Sequence, residues 1–338
     1  MTFRKQKASN QNRDHYIPRT YLRHFCYENR DKFVWQYWKN NPNNCKLTST
    51  KSVCWKAGGD YNPRFKKNRP LDKYFKHIEN IYNSAIKDFE NHNYNEAAKL
   101  CIACNVARMC LWTPKRKELV KTAWEMNLEE LCKMLPNGLQ RNPEKYQEVL
   151  EHVRKASKNP SEINAQTMAK DLEEPSIKLT VDPYFSNEGL IEDMAEAGFL
   201  YSQMPWSIIH NTTSKPFITS DNPVCTLEMN EERFNKHTNI YVPLTPRLAI
   251  LIHITTLVNL PLKSIFSQLQ ATEESVEKLN SYVVKFADKY IIANAKEDWI
   301  KDLVKKFQND QEHYKEEIVK KEFDEGGNYE IRQIKFSV

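Results

Sequence analysis

The sequence predicts an α+β protein: a helical central part packed with a mostly antiparallel, strand-rich C-terminal part. Three observations carry this. Apolar residues recur at helical spacing from Leu71 to about residue 203. From Trp206 onward the apolar runs become short, β-branched and alternating. The 338 residues are 40% hydrophobic, enough to bury a sizeable core, and seven tryptophans are spread along them.

Residues 1–14 read as a flexible basic arm. Residues 15–338 read as one compact domain, divisible into a helical subdomain over 70–205 and a strand-rich subdomain over 206–338. Pro18 suits the first turn of a short helix that carries Tyr21, Leu22 and Phe25. Phe33, Trp35 and Tyr37 alternate with Val34, Gln36 and Trp38 as in a strand. Residues 39–69, rich in Asn, Lys and turns such as Gly58-Gly59-Asp60, read mostly as loop. After Pro70 the stripe Phe75, Ile78, Tyr82, Ile86 and Phe89 marks the clearest helix. A second, from about Asn95 to Trp112, is apolar nearly all round and so belongs at the centre, ending at Thr113-Pro114. Helices near 117–135, 142–157, 161–173 and 187–203 follow. Strands are expected over 206–211, 215–219, 239–243 and 248–254. A helix near 272–287, a strand near 289–294, a charged helix near 296–322 and a strand near 328–336 complete the chain.

Composition narrows the function. Only 7 glycines are present, and no GxGxxG, GxxxxGK[ST] or GxSxG occurs, so dinucleotide, P-loop and α/β-hydrolase chemistry lose their usual support. Eight cysteines are too sparse for a disulfide scaffold in a chain this long, which points to reduced thiols and a cytoplasmic location. Met1–Asn12 is polar and basic, so no secretory leader is expected, and no apolar run approaches membrane-spanning length, so no membrane partner is expected. The net charge of +6 is mild but unevenly spread. Residues 1–30 carry seven Lys/Arg against two acids, and residues 64–76 carry six against one. Such concentrations attract phosphates, or are simply solvated surface.

Three clusters stand out. Arg108 lies in the middle of an apolar helical stripe, where a guanidinium is costly without a carboxylate or bound anion beside it. Glu79, at the edge of the preceding stripe, is its candidate counter-ion, or else a base or metal ligand. The run Asp14–Phe25 sets His15 just ahead of a helix start, with Arg19 and Arg23 one turn apart, an arrangement suited to phosphate, with His15 as acid or base. Arg19 and His24 also match a spacing seen in some ribonucleases, one that arises often by chance. Third, Pro216–Val224 is an apolar strand running into Ser220-Asp221-Asn222-Pro223, a turn in which Asp221 binds a metal or, by default, nearby backbone. Cys101 and Cys104 have CxxC spacing but sit on one helix face with no second pair, which reads as core.

The order of these segments resembles a bacterial family, domain of unknown function 4238. The resemblance rests on His15-Tyr16-Ile17-Pro18 with Tyr21-Leu22-Arg23 and Phe25, on Arg108 through Thr113-Pro114, on Phe217–Val224, and on Pro243-Leu244-Thr245-Pro246. It raises His15, Tyr16, Arg23, Asp221 and Asn222 as site residues and implies no reaction. Arg19, and Trp112 before Thr113-Pro114, depart from the family pattern.

Together these features lead to the expectation of a nucleic-acid phosphodiesterase, or nuclease, serving as a bacterial defence or toxin effector. His15, Asp221 and Glu79 would be catalytic, and Arg23, Arg108 and Arg19 would hold phosphate. Tyr16, Ser220 and Asn222 would support them, and Asp221 with Glu79 would bind a divalent metal, Mg or Mn. Nucleic acid would be the partner. The alternative is a non-catalytic nucleic-acid- or protein-binding protein whose polar motifs form a structural network.

Overall fold

The computed structural model describes residues 13–28, 30–60, 71–123, 125, 147–148, 150–151, 154–155, 183–229, 237–254, 266–310, 315–318 and 334–337. The chain divides into two units, one of Met1–Lys117, Asn187–Ile318 and Lys335–Val338, the other of Glu118–Ser186 and Val319–Ile334. In the second, residues 118–123 are helical, Leu150 is buried, and Lys121 and Glu125 make an i,i+4 ion pair at 3.7 Å. The helices expected over 117–135, 142–157 and 161–173 lie largely outside the described residues.

The first unit is α+β, as its patterning dictates. Helix α1 (Arg19–Arg23) follows Pro18, and β1 (Arg13–His15) precedes it. Strands β2 (Phe33–Trp38), β3 (Asn41–Ser49) and β4 (Trp55–Ala57) come next. Helix α2 (Leu71–Glu90) and α3 (Glu96–Leu111) form a hairpin, and the Asn95 side chain caps α3 by accepting from Ala98 N at 2.8 Å. Helix α4 (Pro183–Gln203) approaches α3 closely at Gly198, where a Cβ would meet Cys104 at 3.0 Å, so a larger residue there would require Cys104 to give way.

Strands β5 (Trp206–His210), β6 (Thr219–Ser220), β7 (Cys225–Met229), β8 (His237–Thr245), β9 (Leu248–Ile254) and β10 (Phe266–Gln270) follow. Then come α5 (Glu273–Phe286), β11 (Tyr290–Ala293), α6 (Asp298–Phe307), β12 (Lys315–Ile318) and β13 (Ile334–Ser337). One sheet runs β10-β5-β9-β8-β7, antiparallel except for the β10–β5 pair, and another runs β3-β2-β11-β6. A first core joins Leu22 of α1, Ile86 and Phe89 of α2, and Ile102 and Val106 of α3 to Trp206, Ile208 and Ile250 on one sheet face. A second joins Val276 and Val283 of α5 and Ile300 of α6 to Ile209, Tyr241 and Ala249 on the other face, and to Tyr37 and Ile291 of the four-stranded sheet. The period-two alternation of β5 and β9 feeds both cores.

Several expectations need correction. The arm cannot include Arg13 and Asp14, because β1 pairs with β4 and buries Asp14; residues 1–12 lie outside the described residues. The stretch 39–60 is not mostly loop, since β3 pairs along β2 despite its Asn and Lys content, its side chains being largely exposed. The expected strand 215–219 is only Thr219–Ser220, because Asn280 of α5 binds Ile218 N and Pro216 O in place of a strand partner. The charged helix stops at Phe307, and 315–318 is strand. Strands β7 and β10 were not anticipated.

Candidate functional site

The short β1 ladder sets His15 opposite Trp55 and Asp14 opposite Lys56. Ile17, Tyr21, Leu22 and Phe25 bury the inner side of α1, which leaves Arg19 and Arg23, four residues apart, on another face. Beside them is a cavity of about 620 Å³ lined by Arg13, Asp14, His15, Arg19, Thr20, Arg23, Asp60, Phe75, Lys76, Glu79 and Arg108. Five cationic side chains there face three carboxyls. Five of the six residues expected to act on a phosphate substrate (His15, Glu79, Arg19, Arg23 and Arg108) thus share one cleft.

Arg108 organises it. Its Nη1 donates to Glu79 Oε1 at 2.6 Å, and its Nη2 donates to the His15 carbonyl at 3.2 Å. Its guanidinium lies 3.7 Å from the Phe75 ring centroid. The side chain is 5% exposed and that of Glu79 30%, so Glu79 serves as the counter-ion that a buried guanidinium requires. His15 is a different case. Burial, and then the Arg19 charge, push its pKa below the ordinary imidazole value, so the ring is neutral near pH 7. Its Nε2 is buried with no hydrogen-bond partner.

Two carboxyls given no role from the sequence complete the cleft. Asp14 accepts from the backbone N–H of Asp60 at 3.1 Å, and Asp60 accepts from Trp112 Nε1 at 3.0 Å. Burial, then the Asp14 charge, push the Asp60 carboxyl up. Lys117 donates to Gly59 O at 3.2 Å and stands 3.2 Å from the Trp112 ring centroid; burial lowers its ammonium to about 7 against the pull of Asp60. The signal for Asp60 was the Gly58-Gly59-Asp60 turn, but its pairing with Asp14 depends on β4, which composition hid.

The strand–turn motif serves another purpose. Asp221 does not line the cleft; its carboxylate accepts from Asp288 N at 3.0 Å and Lys289 N at 2.9 Å. Burial, then the Asp288 charge, raise its pKa to about 7. Ser220 Oγ accepts from Asn222 N, and Asn222 Nδ2 donates to Phe286 O, so this turn clamps the end of α5. Tyr16 is tied through its N–H to Cys54 O at 3.0 Å, and burial raises its phenol. His24 is bonded to Asn83 at 3.1 Å, away from the cleft lining. Three of the four segments quoted for the resemblance meet in the core: the buried Tyr21 hydroxyl lies 2.6 Å from Thr219 Oγ1 and donates to Pro243 O at 2.7 Å.

Among the described residues no group of three or more His, Cys, Asp or Glu converges as a metal site, and Glu79 and Asp221 are held by separate partners. Elsewhere, Ser267, Ser207, His253 and Asn239 are linked across the five-stranded sheet at 2.7, 2.7 and 3.0 Å. Ser207 is buried and its hydroxyl is held from both sides, so the row is a cross-strand ladder. No described helix is long and apolar enough to cross a membrane.

A family model described as a protein of unknown function, DUF4238, matches residues 13–297. Neither the curated proteins nor the solved structures contain a match to the chain.

Proposed function

This chain belongs to the DUF4238 family of proteins of unknown function, and from its cleft we propose that it is a nucleic-acid phosphodiesterase that cuts RNA, with His15 as general base. Membership brings no reaction with it. One observation carries the reading: a neutral imidazole shares a cavity with Arg19, Arg23 and Arg108.

RNA brings its own nucleophile, so these residues suffice. A ribose 2′-hydroxyl gives its proton to the His15 imidazole as its oxygen bonds to phosphorus. The bond from phosphorus to the 5′-oxygen breaks, and that oxygen takes the proton of Asp60, whose carboxyl is held towards its acid form. The products are a 2′,3′-cyclic phosphate and a 5′-hydroxyl. Arg19 and Arg23 bind the non-bridging oxygens, where charge develops. Arg108, paired with Glu79, positions His15 through its carbonyl. The route uses no Mg or Mn, because the two carboxylates first expected to share such an ion hold Arg108 and the backbone instead. Cleavage of a cell's own RNA would suit a toxin or an anti-phage effector.

A second reading is binding of nucleic acid without turnover, with the polar motifs fixing the fold. The saturated Asp221 turn and the Tyr21 bonds favour that part of it. The test is incubation of end-labelled RNA and the matching DNA with purified protein in EDTA. Cleavage of RNA alone, leaving cyclic phosphate ends, is expected. Intact RNA at stoichiometric protein would leave only the binding reading.

A further inference from the structure

We propose that His92, Tyr94, His210 and Gln268 form a binding site for a borderline divalent metal, copper(II) first. The site is distinct from the cleft and joins the α2–α3 turn to the edge of the five-stranded sheet. His92 Nδ1 lies 2.9 Å from the Tyr94 hydroxyl and 3.2 Å from Gln268 Oε1, and the same hydroxyl lies 2.8 Å from His210 Nε2. Two nitrogens and two oxygens from four residues are thus linked by three short contacts. The two imidazole rings are adjacent and tilted, with centroids 4.4 Å apart and planes at 32°.

Those three spacings match edges of a four-ligand coordination polyhedron. Bonds of about 2.0–2.1 Å put neighbouring donors about 2.9 Å apart at right angles and about 3.3 Å apart in a tetrahedron. A tetragonal set of nitrogen and oxygen donors selects copper(II) or nickel(II), and copper binds most tightly in the divalent series. The hydrogen-bond pattern is compatible with exchange for a metal. Gln268 Oε1 can only accept, so His92 carries its proton on Nδ1, and the Tyr94 hydroxyl donates to His210 Nε2. On binding, the His92 proton moves to Nε2 and the phenol proton leaves to solvent.

A second observation is independent of these distances. His92 has φ 59°, in the left-handed region, at the exit of α2 where glycine is the ordinary choice. A strained backbone holding an imidazole against a second imidazole is the kind of outlier that marks a site. His92 and Gln268 are exposed, so the ion has a route in.

The test is titration of the metal-free chain with copper(II), read by thermal melting and by visible absorption. One equivalent should raise the melting temperature and produce a phenolate-to-copper charge-transfer band. His92→Gly relieves the backbone and should melt no lower than wild type without metal, yet bind copper about 10-fold or more weakly. Tyr94→Phe should lose the band, and His77→Ala, on an exposed face of α2, should behave as wild type. Unchanged copper affinity in a His92→Gly, His210→Ala double variant would overturn the site, as would the absence of one-equivalent binding in wild type.

Discussion

Replacing Asp221 with Asn tests whether the strand–turn motif is structural, and its effect should depend on pH with a definite sign. Asp221 is 3% exposed, and its pKa rises from 3.8 to about 7 on folding. The folded protein thus holds this proton more tightly than the unfolded chain. The associated stability is complete below about pH 4 and is lost as pH rises to about 7. At about 1.4 kcal/mol per unit, the ceiling on that loss is roughly 4 kcal/mol. Asn does not titrate, and it offers one acceptor oxygen to the two N–H groups of Asp288 and Lys289. At pH 4.5 the variant should therefore be less stable by ~1–3 kcal/mol, the cost of a buried donor left unmet. The deficit should shrink, or reverse, by pH 8. Urea denaturation of both proteins at several pH values gives the difference directly, and other titrating groups cancel in it. A deficit that grows with pH would refute the reasoning, because it would mean that the folded site prefers the carboxylate.

Three further outcomes follow from the same geometry. Glu79→Gln removes the carboxylate charge beside the Arg108 guanidinium, and with Glu79 partly exposed the loss should be about 2 kcal/mol, read by thermal or chemical denaturation. Tyr21→Phe removes the hydroxyl that reaches Thr219 and Pro243, which should cost about 1–3 kcal/mol without changing nucleic-acid affinity in a filter-binding assay. Arg19→Gln with Arg23→Gln should weaken RNA binding and flatten its dependence on salt, measured as the slope of log affinity against log salt, by about 0.7 for each phosphate that is no longer neutralised.

The fold was legible wherever burial imposes a period. The stripe Phe75, Ile78, Tyr82, Ile86 and Phe89 marks α2 because each of those residues is buried, the last four in the core and Phe75 at the wall of the cleft. Strand β3 was not legible because its exposed Asn and Lys side chains owe their place to the ladder with β2, and a backbone ladder leaves no trace in composition. The same reason hid Asp60, which reaches the cleft only because β4 pairs with β1. The Arg108–Glu79 pair could be read in advance, since a guanidinium on an apolar stripe demands a partner. Asp221 could not be placed from sequence. An aspartate in a polar turn looks the same whether it faces a cavity or two backbone amides, and here it faces the amides. Three of the four quoted motif segments converge at Tyr21, inside the core, so their shared physics is packing and hydrogen bonding.

The central claim is that the neutral His15 imidazole takes the proton from the attacking hydroxyl. The direct measurement is the single-turnover rate of RNA cleavage in EDTA by His15→Asn beside wild type, on protein shown by melting to be folded. The expected rate is lower by ~10²–10⁴-fold at an unchanged melting temperature. A variant that cuts within about threefold of wild type, or one whose missing activity tracks a missing fold, would contradict it.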